Sequence, residues 1–237
     1  MDILQTETLG YKPNPKVKEL LKDIQLLLLV GPTGSGKNTL EQELLKTGQF
    51  RPLVTHTTRP PRENQGVIEV DGDEYHFISR DKALEMLRSH EFIEAAYTHT
   101  NMYGTSIKEL ERASKESKIA VADIDVKGVR AYRELMDNVT PVYLLPPSFK
   151  ILIERLTRRY GESRDREDIK IRLSTALEEL SDLLDSNYYH IIVNEDKSIS
   201  LGKVLEVFKG SKEYLNNEEN LKIAKDLADQ IKDYLAS

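Results

Sequence analysis

The chain has 237 residues, of which 39% are hydrophobic and 31% charged, with 34 basic against 40 acidic side chains and a formal net charge of −6. That length allows one domain comfortably and two at a stretch, and the near-even sign balance lacks the basic footprint of a general nucleic-acid binder. Zero Cys excludes disulfides, thiolate zinc sites and cysteine nucleophiles; the 5 His never fall at HExxH spacing, and no apolar run approaches the roughly 18 residues of a membrane span.

Residues 1–23 read as an appendage. Its acidic start, Met-Asp-Ile-Leu-Gln-Thr-Glu, has no basic n-region, so the expected address is the cytoplasm. The Lys-Pro-Asn-Pro break at 12–15 interrupts any early helix, and a short helix from Lys16 to about Asp23 follows. Ile24 to Val30 is too continuously apolar for a half-exposed strand and predicts a central strand covered on both faces. A glycine-rich turn, Gly31 to Gly36, then leads into a helix from Lys37 to about Lys46. From Phe50 to Phe77 the texture changes to β-branched residues, prolines and turn formers. Short strands at 67–70 and 75–78, separated by Asp-Gly-Asp at 71–73, predict a small antiparallel piece.

Asp81 to about His90 predicts a helix capped by Asp81 or Ser79. Ile119–Ile124, Val139–Leu145 and His190–Val193 predict further strands, with a helix from Gly128 to about Met136 between the first two. Phe149 to Asp185 is mostly helical, with an arginine-rich interruption at 158–166. Strands alternating with helices imply an α/β fold on a parallel sheet. Residues 210–237 form a second appendage, where Leu221, Ala224, Ala228, Ile231 and Leu235 recur at helical spacing. That stripe either packs back onto the domain or takes a partner helix.

Gly31-Pro32-Thr33-Gly34-Ser35-Gly36-Lys37-Asn38-Thr39 is the loudest signal in the chain. Small residues between a buried strand and a helix let backbone amides converge on phosphate oxygens, and the helix adds the positive end of its dipole. Lys37 then reaches the β and γ phosphates as a point charge. The GxxxxGK[ST] pattern wants a hydroxyl after the lysine to hold Mg²⁺. Here Asn38 stands in that place, so its carbonyl oxygen or the hydroxyl of Thr39 is the expected ligand, with Asp123 at the end of its strand as the acidic partner.

Further segments point to a second substrate. Thr55-His-Thr-Thr-Arg59-Pro-Pro-Arg62 places two arginines three apart on a proline-flanked loop, and guanidinium forks match phosphate oxygens bidentately. Tyr75-His-Phe77, Glu91-Phe-Ile-Glu94, Asn101-Met-Tyr-Gly-Thr105 and Asp123-Ile-Asp-Val-Lys-Gly128 follow in order.

In this order, behind this loop, these segments resemble guanylate kinase, from about Gln25 to Phe208. The resemblance implies a P-loop NTPase three-layer parallel α/β sheet over 24–208. It would carry a small β-rich GMP-binding insertion at about 54–106 and a helical lid at about 150–172, with 1–23 and 209–237 as extensions. The stretch from Arg62 to Tyr75 is a few residues longer than the family's spacing. Carried over by position, Arg59, Arg62, Tyr75 and Tyr103 would hold the phosphate of GMP. Glu94 would accept from the guanine N1 and amino group, with Thr55, Thr105 and Asp125 completing the base-reading set. Arg155, Arg159 and Arg172 resemble lid arginines that close over the transferring group, and Asn194 lies in a segment near the donor nucleotide.

The resemblance therefore implies ATP and GMP, with dGMP as a further acceptor, Mg²⁺ as cofactor, and no nucleic-acid or membrane partner. Glu94 itself suits guanine, because N1–H and the amino group are both donors, whereas adenine offers N1 as an acceptor. Two charge-assisted hydrogen bonds at about 1.5–3 kcal/mol each give a discrimination of roughly 10²–10⁴. Two other readings stay open. A related kinase acting on an acceptor such as ribose 1,5-bisphosphate would also fit Asn38-Thr39, but would have no use for Glu94. A non-catalytic interaction module would keep the GMP pocket and lose the phosphate loop.

Overall fold

Five consecutive aliphatic side chains, each 0% exposed, make Leu26–Val30 the most deeply buried strand of the chain's first half. It belongs to a computed structural model that describes residues 2–64, 66–98, 100–160 and 166–236, with backbone alone at 64, 159, 160, 166 and 167. Chain order begins with α1 (Ile3–Leu9), α2 (Val17–Leu20), β1 (Leu26–Val30) and α3 (Lys37–Lys46). The β-rich stretch supplies β2 (Phe50–Pro52), β3 (His56–Thr57), β4 (Glu63–Asn64), β5 (Val67–Ile68) and β6 (His76–Phe77). Then come α4 (Arg80–Arg88), β7 (Phe92–Thr98), β8 (Asn101–Ser106), α5 (Ile107–Lys115), β9 (Ile119–Asp123), α6 (Val126–Leu135) and β10 (Val139–Leu145). The chain ends with α7 (Phe149–Tyr160), α8 (Arg166–Leu184), β11 (His190–Val193), α9 (Lys197–Phe208) and α10 (Glu218–Ala236).

Among the described residues the strands form three sheets, ordered β11-β10-β1-β9-β2, β6-β3-β8-β7 and β4-β5. In the first, β10 runs parallel to β11 from Val142 opposite His190 to Leu145 opposite Val193, and β2 runs parallel to β9. α6 begins two residues before the helix read from composition, because the Asp125 carboxylate accepts the Gly128 amide at 2.7 Å and so caps the first turn. No helix among the described residues is long and apolar enough to cross a membrane.

One expected pairing is corrected. Residues 67–70 do not form a hairpin with 75–78. β5 pairs antiparallel with β4, and β6 pairs parallel with β3. The reason is Glu69, whose carboxylate holds both the Arg59 guanidinium and the Arg62 amide, while its own amide donates to the Arg62 carbonyl at 2.9 Å. The segment is thereby folded back on Arg62, and its apolar side chains Val67, Ile68 and Val70 are left exposed.

Two compact units divide the chain: one comprises residues 1–26, 49–122 and 130–139, the other 27–48, 123–129 and 140–237. The first unit is built round the β6-β3-β8-β7 sheet. Ser79 caps α4 by accepting the Lys82 amide, and α4 then buries Ala83, Met86 and Leu87 against Phe92 and Met102. Leu4 of α1 completes this cluster at 0% exposure, so the N-terminal segment is part of the unit's core.

In the second unit α9 packs on α3, and α10 packs on α8 and β11. The buried face of α10 is Ala224, Leu227, Ala228 and Ile231, so the stripe read from sequence lies against its own chain. Residues leading into α10 run antiparallel beside β11. The Ile191 amide donates to the Tyr214 carbonyl at 2.7 Å, the Asn216 amide to the Tyr189 carbonyl at 2.9 Å, and His190 bridges Leu215.

Candidate functional site

The second unit holds the glycine-rich loop. Gly36 has φ +98°, and a Cβ there would stand 2.3 Å from the Asn194 amide nitrogen. Gly31 has φ +131°, and its Cβ would meet the Leu144 carbonyl oxygen at 2.3 Å. Both positions demand glycine on conformational and steric grounds at once. The loop is braced from outside: Asn194, 6% exposed, donates from Nδ2 to the Ser35 carbonyl at 2.7 Å and accepts from the Ser200 hydroxyl at 2.8 Å. Its side chain is therefore spent on holding the loop. Arg155 adds donors to the Gly34 and Asn194 carbonyls at 3.3 and 3.0 Å.

The loop opens into a cleft of about 620 Å³. Of the residues expected at a donor site, Thr33, Gly34, Gly36, Lys37, Asn38, Thr39, Asp123, Arg155, Arg172 and Asn194 line it. Pro32 and Ser35 are buried behind them. The Arg159 side chain lies outside the described residues. Arg158, not singled out in the sequence, lines the cleft instead, three residues along α7 from Arg155 and so on the same face. Lys197 and Glu195 also line it.

Lys37 Nζ rests 2.5 Å from the Gly31 carbonyl and 3.7 Å from Asp123. With Arg155, Arg158, Arg172 and Lys197 against Asp123 and Glu195, the cleft carries an excess of cations. Burial, and then repulsion from Arg158, lower the pKa of Arg155 from its ordinary value. Two carboxyls near this charge were not legible in the sequence. Burial pushes Glu179 up to about 7 against the pull of Lys37, and burial with the Asp123 charge pushes Glu41 to about 7.

The first unit gathers most of the acceptor set. Arg59 is 5% exposed and lies bidentate on Glu69 at 2.8 and 3.1 Å. Its guanidinium also stands 5.1 Å from the Tyr75 ring centre and 5.8 Å from that of Phe77. Tyr75 packs edge-on to Tyr103 at 6.0 Å, so Arg59, Tyr75 and Tyr103 form one cluster. Arg62 is anchored through its backbone amide to Glu69 at 2.7 Å while its side chain is exposed. On the β7–β8 pair, Glu94 stands opposite Thr105 and accepts the Thr105 amide at 3.0 Å. Thr55 precedes β3 and accepts the His76 amide at 3.0 Å. Asp125 is the exception: it belongs to the second unit, where it caps α6.

Behind this set lies a histidine pair that the sequence reading did not use. The His56 and His76 rings lie 4.6 Å apart with their planes tilted by 42°, and His76 Nε2 meets the 2%-exposed Glu109 at 3.1 Å. Burial, and then His76, lower His56 to about 4.

A family model described as guanylate kinase matches residues 23–210. The chain belongs to the guanylate kinase family. Guanylate kinase 1 of Oryza sativa subsp. japonica is 38% identical over 173 residues, which are 72% of this chain and 44% of the rice protein, so the chain spans less than half of that relative. The guanylate kinase of Alkalilimnicola ehrlichii is 33% identical over 211 residues, 89% of this chain and 98% of that protein. Among solved structures, the guanylate kinase from Anaplasma phagocytophilum matches with a TM-score of 0.58 at 26% identity, covering 79% of this chain and 85% of that one. Guanylate kinase membership accounts for the α/β sheet, with its glycine loop between β1 and α3 as a P-loop NTPase fold requires.

Proposed function

We infer that this chain transfers the γ-phosphoryl group of ATP to GMP, giving ADP and GDP. The observation that carries the reading is the coexistence of a braced phosphate loop carrying Lys37 and an acceptor unit that presents a carboxylate, Glu94, beside Thr105. An interaction module needs no such loop, and a sugar-phosphate kinase needs no carboxylate to meet the donors of guanine.

In this reading the loop amides and Lys37 hold the β and γ phosphates, and Lys37 leaves the Gly31 carbonyl to do so. A GMP phosphate oxygen attacks the γ-phosphorus, the bond to the β–γ bridging oxygen breaks, and that oxygen leaves with ADP. Such a transfer asks the protein for positioning and charge stabilisation rather than covalent chemistry. Arg155, Arg158 and Arg172 supply that charge, with Arg159 expected alongside them from the resemblance. Arg59, Arg62, Tyr75 and Tyr103 hold the acceptor phosphate, offsetting its repulsion from the donor. Glu94, with Thr55 and Thr105, reads the base; Asp125 is carried over to that task from the resemblance alone. Asn194 serves the donor site through the loop it braces.

Asp123, the Asn38 carbonyl and the Thr39 hydroxyl would hold Mg²⁺. All three are oxygen donors lining the same cleft. Mg²⁺ bound there would complete its shell with substrate phosphate oxygens and water. When bound, it neutralises charge on the β and γ phosphates.

The test is coupled ADP release with GMP, dGMP, AMP, CMP and ribose 1,5-bisphosphate as acceptors. Turnover confined to the guanine nucleotides is expected. Turnover with the sugar phosphate, or with no acceptor, overturns the reading. Lys37→Ala should lower kcat by at least about 10³-fold while leaving GMP binding in calorimetry within about twofold.

A further inference from the structure

The segment before residue 23 lies outside the family match, yet it is built into the acceptor unit. Leu4 fills the core cluster, the Asp2 carboxylate accepts the Tyr97 hydroxyl at 2.8 Å and pairs with Arg80, and Glu7 accepts from Arg88 at 3.1 Å. The contact with most consequence is made by Tyr11. Its hydroxyl donates to the Phe92 carbonyl at 2.6 Å and accepts the Phe92 amide at 3.1 Å, and its ring meets that of Phe92 edge-on at 6.2 Å.

Phe92 stands where the β7–β8 register breaks. Phe92 faces Ser106 and Glu94 faces Thr105, so two steps along β7 answer to one along β8. β7 is the outer strand of its sheet and the Ile107 amide reaches the Glu91 carbonyl, so beside the bulge the Phe92 amide and carbonyl face the open side and need partners beyond the ladder. One hydroxyl supplies both partners that Phe92 needs. The bulge also sets which way the next residues point, and Glu94, two positions on, is thereby turned onto the Thr105 amide. Burial, and the nearby charges of Glu94 and Glu91, push the Tyr11 hydroxyl up to about 12, so it stays a donor at any working pH.

We propose that Tyr11 is a positioning residue that pins the bulge at Phe92 and so aims Glu94 at the acceptor base. Base specificity is then set partly by a residue outside the family segment. The proposal rests on the reading of Glu94 as the base-reading carboxylate.

The experiment compares Tyr11→Phe, Glu94→Gln and Glu7→Gln with the parent, using GMP and inosine monophosphate, which lacks the amino group that Glu94 would accept. Tyr11→Phe keeps the ring and removes one hydroxyl. It should raise the KM for GMP by about 3- to 10-fold, the scale of one hydrogen bond, and lower the GMP-to-IMP ratio of kcat/KM. The KM for ATP and kcat should stay within twofold. Glu7→Gln removes the outer ion pair, leaves both Tyr11 bonds, and should leave the ratio unchanged. If Glu94→Gln leaves the ratio unchanged, the base-reading role of Glu94 fails and the proposal with it. If Glu94→Gln collapses the ratio while Tyr11→Phe does not move it, the positioning role alone is overturned. Equal loss with GMP, IMP and ATP in Tyr11→Phe, or a matching shift in Glu7→Gln, would show a general loosening and overturn it too.

Discussion

Removing Glu69 should destabilise the protein well beyond what an exposed loop carboxylate would. The Arg59 and Glu69 side chains are 6% and 11% exposed and share two hydrogen bonds at 2.8 and 3.1 Å. Breaking a buried pair from one side costs about 3–5 kcal/mol, because the remaining charge is stranded. Arg59 keeps the Pro60 carbonyl at 2.8 Å and the faces of Tyr75 and Phe77, which return on the order of 1 kcal/mol. Glu69→Ala should therefore cost about 2–4 kcal/mol, and at about 2–4 °C per kcal/mol it should lower Tm by about 4–16 °C. Thermal unfolding at pH 7.5, with and without inorganic phosphate, tests this. Phosphate should raise the Tm of the variant more than that of the parent, since an anion can replace the lost carboxylate beside Arg59. A loss below about 1 kcal/mol, or equal phosphate shifts, would refute the idea that Glu69 holds the acceptor arginine in place. The carboxyl of Glu69 is held below its usual range chiefly by Arg59, so the parent should also lose this stabilisation as pH falls through that lowered pKa, and the variant should not.

Asn194→Ala strands the Ser35 carbonyl and the Ser200 hydroxyl; chemical denaturation should register about 2–4 kcal/mol, and the KM for ATP should rise while that for GMP stays put. His56 falls from an ordinary 6.5 to about 4 in the folded chain, so between those values the unfolded chain takes up a proton that the folded chain refuses. Stability should accordingly drop as pH is lowered from 6.5 towards 4, and a Tm series with His56→Gln should show a flatter acid limb. Asn38→Ser restores a hydroxyl after Lys37, and a magnesium titration of the initial rate should reach half-maximum at a lower concentration; a higher one would give the Asn38 amide a task of its own.

The sheet strands were legible because short apolar stretches such as Val142–Leu145 and Ile191–Val193 have no other comfortable home, and the strands that hold them, Val139–Leu145 and His190–Val193, have the bounds expected from sequence. The glycine loop was legible because its composition, spacing and setting agree. The β7–β8 hairpin was not, since Phe92–Thr98 mixes Glu94 and Ala95 with aromatics and its burial does not alternate cleanly. Asp71-Gly-Asp73 has the composition of a hairpin turn, but the partner of residues 67–70 was decided by Glu69, a charge whose role emerges only when Arg59 and Arg62 are brought beside it. Asn194 carried a donor-nucleotide expectation, and only its two buried bonds reveal the brace. The resemblance points to Arg159, yet Arg158 stands a step of three from Arg155 and so shares the face that lines the cleft.

The antiparallel run of Tyr214–Asn216 along β11 carries a practical consequence. β11 is the last strand of its sheet, and an open border of unpaired amides and carbonyls is a template for another molecule. In this protein the chain itself seals that border, and α10 then clamps the seal, with the Asn220 side chain donating to the Ile191 carbonyl at 2.8 Å. A recombinant fragment trimmed at residue 210, where the family match stops, would bare the flank of β11 and tend to precipitate by strand-to-strand association, so the tail belongs in any soluble preparation.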